Sequence, residues 1–464
     1  MENNKKLIFL KSTMFILGIL LIAILMLFFI KSFVAYPLGA DVYGYLFRVR
    51  TLYESLKQGD LYPIYTNLWY NGTELFRSWP PFVYYICAFF TWIFNGEVFS
   101  SYYALLVLCF VLSSIGFLCF GVRDNRVGLA FILSILYFFL PDNLRVMFSE
   151  GNFIRSFITG LTPLLIFNVD NFLRYRKKRA LVYISIIMII ITCSHFMIAA
   201  MYGVAIFIYC LFECFLNKKF KDKVILIFDI GFSYLASGLV LVPGVFGGVL
   251  GLSGSVDSEL AMWTEDFSVS LNYFLRFEPD GLGLFYFGNI LILFSILAII
   301  CKKKNNVSYF YAGVLIFLLT SSELIPFLKL LPFSQVFWMK RLAPIAYVFL
   351  FVGILNWKEL KKRIIFILSI LLIIDLIPSL GFFKYEKDFD GLYNSNVVEE
   401  HIEEVCDKYL ITDAIDICNN TLAVIDESAF GCIPSYYISA KNSEINFHCC
   451  INSIQILIFI ENGK

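Results

Sequence analysis

An all-α polytopic membrane fold follows from three features of the chain: its composition, its recurring apolar segments and the placing of its basic runs. Hydrophobic residues make up 59% of 464, 51 are Phe, and mean hydropathy is +0.77, far outside the range of soluble globular domains. A spanning helix needs about 20 apolar residues to cross a hydrocarbon core of roughly 30 Å, and stretches near that length recur from Ser12 to Phe382. The net charge of +1 gives no basis for nucleic-acid binding, so only the distribution of charge is informative.

Short basic runs resist translocation and mark the cytoplasmic side. They lie at Lys5, Lys6 and Lys11; Arg123 and Arg126; Arg174 to Arg179; Lys218 to Lys223; Lys302 to Lys304; and Lys358 to Arg363. Between consecutive runs the chain must leave and return. Spans near 12–34, 99–121, 127–141, 155–173, 180–196, 197–216, 224–250, 283–301, 308–326, 339–356 and 364–382 satisfy every run. This predicts about eleven crossings, with the amino terminus cytoplasmic and the carboxyl terminus external. The apolar stretch from Pro81 to Phe94 is short for a span and is expected as an interfacial or re-entrant helix. In the alternative it crosses, and 127–141 does not.

The first segment lacks a cleavage site and is expected to stay as an anchor. It leads into an external loop, 35–98, that interrupts the apolar pattern. Asp41 opens it, and Val42, Tyr45, Leu46, Val49, Leu52, Tyr53 and Leu56 follow at the spacing of an amphipathic helix lying on the membrane surface. Gly59 closes the helix, and Pro80 with Pro81 ends the loop. Asp41 suits either a helix cap or a general base that takes a proton from an acceptor hydroxyl. Arg48 or Arg50 would then hold a phosphate through paired hydrogen bonds. Asp41 has no acidic neighbour, so the sequence assigns no metal ligands and implies no cofactor, while leaving a divalent metal open.

Three further external regions carry polar residues. Pro141 to Arg155, PDNLRVMFSEGNFIR, is polar for a short turn, and its Glu150 and Arg155 can pair or face the Asp41 loop. Leu252 to Leu282 is acidic, with Trp263 and Tyr273 as candidates to cover a substrate as a lid. Pro326 to Arg341, PFLKLLPFSQVFWMKR, places Gln335, Lys340 and Arg341 at an outer mouth. There the cations oppose the positive-inside rule and suit an anionic partner. Within the apolar segments, Asp170, Glu213 and Asp229 lie near basic runs and are expected to pair there. His195 falls at an outer turn facing the same cavity, and Asp375 has no assignment.

These residues resemble the GT-C superfamily of integral-membrane glycosyltransferases, which use polyprenyl-phosphate sugars. The similarity is closest to the membrane proteins labelled 6-pyruvoyl-tetrahydropterin synthase related, whose label misleads, since they resemble glycosyltransferases and not pterin enzymes. Asp41, the helix after it, Pro80-Pro81, FSEGNFIR, SHFMIA and SQVFWMKR occur in the order of that pattern. The histidine usual after the loop acid is absent, and Tyr43 and Tyr45 occupy that stretch. The resemblance implies that Asp41 is the base and that Arg341 meets the donor phosphate. It also implies a sugar transferred with inversion from a polyprenyl-phosphate donor in the bilayer to an unspecified acceptor. Alternative functions are a transporter or flippase, though no internal repeat is evident, and a non-catalytic polyprenyl-lipid-binding assembly protein.

The chain thus divides into a transmembrane domain, 1–382, and an external segment, 383–464, of mixed α/β character. The resemblance implies larger external domains, so this segment is expected to be short or truncated. Five of the twelve cysteines lie in it, where an external location permits disulfides. The other seven fall in apolar segments. The sequons at Asn71 and Asn419 are external in this topology.

Overall fold

A computed structural model of the chain describes residues 2–33, 41–66, 73–76, 80–217, 220–238, 288–301, 307–320, 326, 330, 339–357, 359–380, 445–450 and 453–460. Helix α1 (Glu2–Phe33) buries the stripe Phe15, Ile19, Ala23 and Met26, spaced three or four residues apart, while Leu10, Met14, Leu17, Leu21 and Phe28 face outward. One packed face and an apolar exposed remainder is the arrangement of a helix bounded by lipid.

Helix α2 (Val42–Lys57) follows the amphipathic pattern, but α3 (Phe82–Ile93) and α4 (Val98–Arg123) cover its apolar face. The stripe therefore packs on protein instead of resting on a membrane surface. Gly59, at φ +88°, ends it in a conformation that a side chain would strain. A small hairpin, β1 (Tyr65–Thr66) with β2 (Thr73–Glu74), lies between α2 and α3.

Next come α5 (Val127–Phe138), the short α6 (Pro141–Leu144), a π-helical turn (Arg145–Ser149) and α7 (Phe153–Tyr175). The chain bends by 50° between α5 and the segment starting at Pro141, where proline cannot continue the hydrogen-bond ladder. Then follow α8 (Arg179–Thr192), α9 (Phe196–Asn217), α10 (Phe220–Ala236), α11 (Asn289–Cys301) and α12 (Ser308–Leu318). A 3-10 turn (Met339–Leu342) leads into α13 (Ala343–Leu355), and α14 (Lys362–Ile374) precedes a last turn (Ile377–Leu380). Near the carboxyl end, β3 (Ile445–Cys450) pairs antiparallel with β4 (Ser453–Ile460); the rest of 383–464 lies outside the described residues.

Every residue of α13 is buried, as expected of a helix apolar on all sides. Helices α4 and α7 run parallel in close contact: Gly116 meets Pro163 and Leu164, Gly160 meets Cys109, and Arg123 reaches Asp170. A Cβ on Gly160 would lie 2.8 Å from the carbonyl oxygen of Cys109. Small residues permit such approaches between membrane helices. Gly160→Ala should cost about 1–3 kcal/mol through overpacking. Gly128→Ala, where nothing lies within 4 Å, should be neutral in the same thermal melt in detergent.

The carboxyl ends of α4, α7 and α9 share one end of the bundle. Arg123 meets Asp170 at 2.5 Å, Arg174 meets Asp170 at 2.7 Å, and Arg174 meets Glu213 at 3.2 Å. Asp170 and Glu213 thus pair beside basic residues as expected, and Asp229 accepts from Ser185 at 2.9 Å. Asp375, unassigned from sequence, accepts from the N–H groups of Ile290 and Leu291 at 3.2 and 3.0 Å. It supplies an anion to the amino end of α11.

Among the described residues, four helices are long and apolar enough to cross a membrane: within α1 and α9, and α4 and α7 whole. A fifth counts if α5 and its bent continuation are one span. Helices α3, α8, α11, α12, α13 and α14 are apolar but short. The helical membrane fold is as expected, and the described residues account for four or five of the eleven expected crossings at full length.

Candidate functional site

Helices α2, α3, α7, α9 and α13 begin at the opposite end, and short links tie their starts together. Asp41 N–H donates to the carbonyl of Glu150 at 2.8 Å, and Phe82 N–H to that of Cys193 at 3.2 Å. Asn152 Nδ2 donates to Asp41 Oδ2 at 3.3 Å, and Arg341 Nη1 lies 3.1 Å from His195 Nε2. Each start presents backbone N–H groups and a partial positive charge, so the site favours anions before any side chain is counted.

Asp41 precedes α2, but its carboxylate makes no capping bond to that helix. It is solvent-accessible and turns toward Asn152. Displacement of water by the surrounding protein raises its pKa, and Glu150 adds to the rise. Arg341, Arg155 and the Asn152 hydrogen bond pull the other way. The cap reading therefore does not account for this side chain.

The PDNLRVMFSEGNFIR segment supplies the central charges. The two oxygens of Glu150 go to Arg145 and Arg155, and Arg145 also meets Asp142 at 3.0 Å. Burial works against the Glu150 charge, yet Arg155 and Arg145 hold its pKa down at about 2. Glu150 is thus a fixed counter-ion rather than a proton carrier. Gly151, at φ +62°, turns the chain into α7, where Asn152 Oδ1 accepts from Arg155 N–H at 3.0 Å.

His195 sits in the turn between α8 and α9, where burial and the charges of Arg341 and Arg155 hold its pKa well below the usual value. A neutral imidazole whose Nε2 accepts from Arg341 carries its proton on Nδ1. Burial and the nearby Arg155 oppose the charge of Arg341, lowering its pKa, while Glu150, Tyr45 and Asp41 favour it. Tyr45, one turn after Asp41, stacks on Phe153 at 5.4 Å. Its pKa is raised well above the usual value by burial, then by Asp41 and Tyr84, so the phenol stays protonated.

The structure thus brings together Asp41, Glu150, Arg155, His195 and Arg341. Arg48 flanks them near Tyr45 and Tyr84, donating to its own helix at Gly44 at 2.9 Å. Arg50 does not join: it donates to Gly96 at 3.1 Å and pairs with Glu54 at 3.2 Å. The reason is rotation, since Arg48 is about two full turns from Asp41 and Arg50 half a turn beyond that face. Lys340 lies on the 3-10 turn beside Arg341, whereas Gln335 and the acidic 252–282 loop lie outside the described residues. Sequence reasoning missed Asn152, Arg145 and Asp142; only the Gly-Asn pair before an apolar run signals a turn with a helix cap.

Fold and site define a polytopic helical membrane protein with a charged centre where several helices begin. The chain belongs to the 6-pyruvoyl-tetrahydropterin synthase related domain family of membrane proteins, matched over residues 76–385. It is similar to the Archaeoglobus fulgidus oligosaccharyltransferase in its apo form at TM-score 0.47 and 12% identity, covering 93% of this chain and 61% of that one. For that enzyme, named AglB, in complex with an inhibitory peptide and a dolichol-phosphate, the values are 0.46, 13%, 93% and 61%. For its complex with Zn and sulfate they are 0.43, 15%, 76% and 49%. The chain thus spans about half to three fifths of the length of those structures. No match was found among curated proteins.

Proposed function

We propose that the protein is a membrane glycosyltransferase that moves a sugar from a polyprenyl-phosphate donor to an acceptor hydroxyl at the end of the bundle that holds Asp41. In this reading the topology is the one the basic runs demand, with that end external. The observation that carries it is the meeting of an accessible carboxylate of raised pKa with the buried Arg341–His195 pair where five helices begin. Asp41 takes the acceptor proton as the acceptor oxygen bonds to the anomeric carbon. On the opposite side, the bond from that carbon to the phosphate oxygen breaks, and the electron pair leaves with the lipid phosphate. Arg341, with Arg155 nearby and the amino end of α13 behind it, stabilises that leaving group. A raised pKa makes the ionised carboxylate a stronger proton acceptor than an ordinary aspartate. Family membership and the motif order from Asp41 to Arg341 support the same reading.

The test is to incubate purified protein with a panel of polyprenyl-phosphate sugars and assay free polyprenyl phosphate. Arg341→Gln should weaken the apparent affinity for the active donor about 10- to 100-fold, the loss expected for a charge-assisted hydrogen bond. Release of lipid phosphate from none of the donors would sink the proposal.

A further inference from the structure

We infer that Asn152 is the positioning residue for Asp41, its side-chain amide fixing the carboxylate from one end while capping α7 with the other. Asn152 is 3% exposed and held on several sides. Its N–H donates to the carbonyl of Val146 at 3.0 Å, and its own carbonyl accepts from Ser156 N at 3.0 Å and Ser156 Oγ at 2.8 Å. The orientation of its amide is decided by chemistry. Oδ1 faces the backbone N–H of Arg155 at 3.0 Å, a donor that only the oxygen can accept, so Nδ2 must be the atom at Asp41 Oδ2.

Asp41 needs such a partner because its own helix gives its carboxylate no capping bond. Its backbone is tied to the same turn through Glu150. Main chain and carboxylate of the proposed base are therefore both referenced to residues 150–152, which Gly151 shapes at φ +62°. The groups facing Asp41 come from four elements: Tyr45 of α2, Glu150 closing the π turn, Arg155 of α7 and Arg341 of the 3-10 turn. Glu150 disfavours the ionised carboxylate, whereas Arg341, Arg155 and Asn152 favour it. With Oδ2 engaged by Asn152, Oδ1 is the oxygen turned to an acceptor proton. The inference deepens the glycosyl-transfer reading and rests on it for its catalytic meaning, but not for its test.

A hydrophobic carbodiimide reacts with protonated carboxyl groups, so its labelling of the Asp41 peptide across a pH series, read by mass spectrometry on the full chain in detergent, reports the titration of Asp41 without any substrate. Asn152→Ser and Asn152→Asp both keep an oxygen able to cap α7; the shorter serine leaves its hydroxyl out of reach of Asp41, whose partner is already 3.3 Å away at the end of the longer asparagine, and aspartate replaces the donor with negative charge. The labelling midpoint should rise by about half to one pH unit in Asn152→Ser, the equivalent of one hydrogen bond, and further in Asn152→Asp. Midpoints unchanged from the parent protein in both variants would overturn the inference. If only one variant folds, its midpoint decides. The acid limb of the transfer rate should move together with the labelling midpoint. A shifted midpoint combined with full transfer by Asp41→Asn would instead remove the catalytic reading and leave the positioning intact.

Discussion

Asp41→Asn should lower transfer by about 10²- to 10⁴-fold, the contribution of a positioned general base, while donor binding and stability stay near those of the parent protein. The substitution keeps the shape of the side chain and an oxygen that still accepts from Asn152 Nδ2, 3.3 Å away in the native site. No helix cap is lost, because the Asp41 carboxylate makes none. The pH dependence follows from the direction of the shift. Burial, then Glu150, raise the Asp41 pKa above 3.8. A base acts only when ionised, so transfer should rise with pH through a limb displaced upward from that of an ordinary aspartate. Removing the positive charge of Arg341, which lowers that pKa, should move the limb higher still. Initial rates of lipid-phosphate release across pH measure both effects, and undiminished transfer by Asp41→Asn would end its assignment as the base.

What could be read from the sequence depended on how local each signal is. The acid after the first apolar segment, the histidine at a turn between close spans and cations on the wrong side of a span are departures from a strong background, and Asp41, His195 and Arg341 do converge. The Glu150–Arg155 pair was open between two partners, and the structure closes it, with Arg145 sharing the carboxylate. Helical rotation alone separates Arg48 from Arg50. By contrast, Asn152 acts through a hydrogen bond to a residue 111 positions away, and nothing local announces that. Whether Asp41 caps its helix is a side-chain torsion that composition cannot fix. The span count was read from positive-inside alternation, which the shared end of Arg123 and Arg174 respects. Alternation of charge does not fix where each helix ends, and α13, buried at every residue, runs for 13 residues.

Glu150→Gln should destabilise the protein by about 3–5 kcal/mol, the cost of leaving buried charge without its counter-ion. Arg145 is 2% exposed and Arg155 4%, and glutamine fills the same volume without the charge that both face. Arg145 keeps Asp142 at 3.0 Å, so the burden falls mainly on Arg155, the residue whose N–H also anchors the Asn152 cap. Loss of the pair should therefore loosen both α7 and the hold on Asp41. The sign of the pH effect is fixed by the lowered pKa. Folding moves Glu150 from 4.5 to about 2, so its contribution, on the order of 3 kcal/mol, is complete above the unfolded value and is lost as pH falls between the two. Unfolding in detergent should show the parent protein weakening across that window and Glu150→Gln, already lacking this interaction, changing less. Adding Arg155→Met to Glu150→Gln should recover part of the loss, because removing both partners of a buried pair costs less than removing one. A single variant as stable as the parent would mean that the two arginines are held by something other than Glu150.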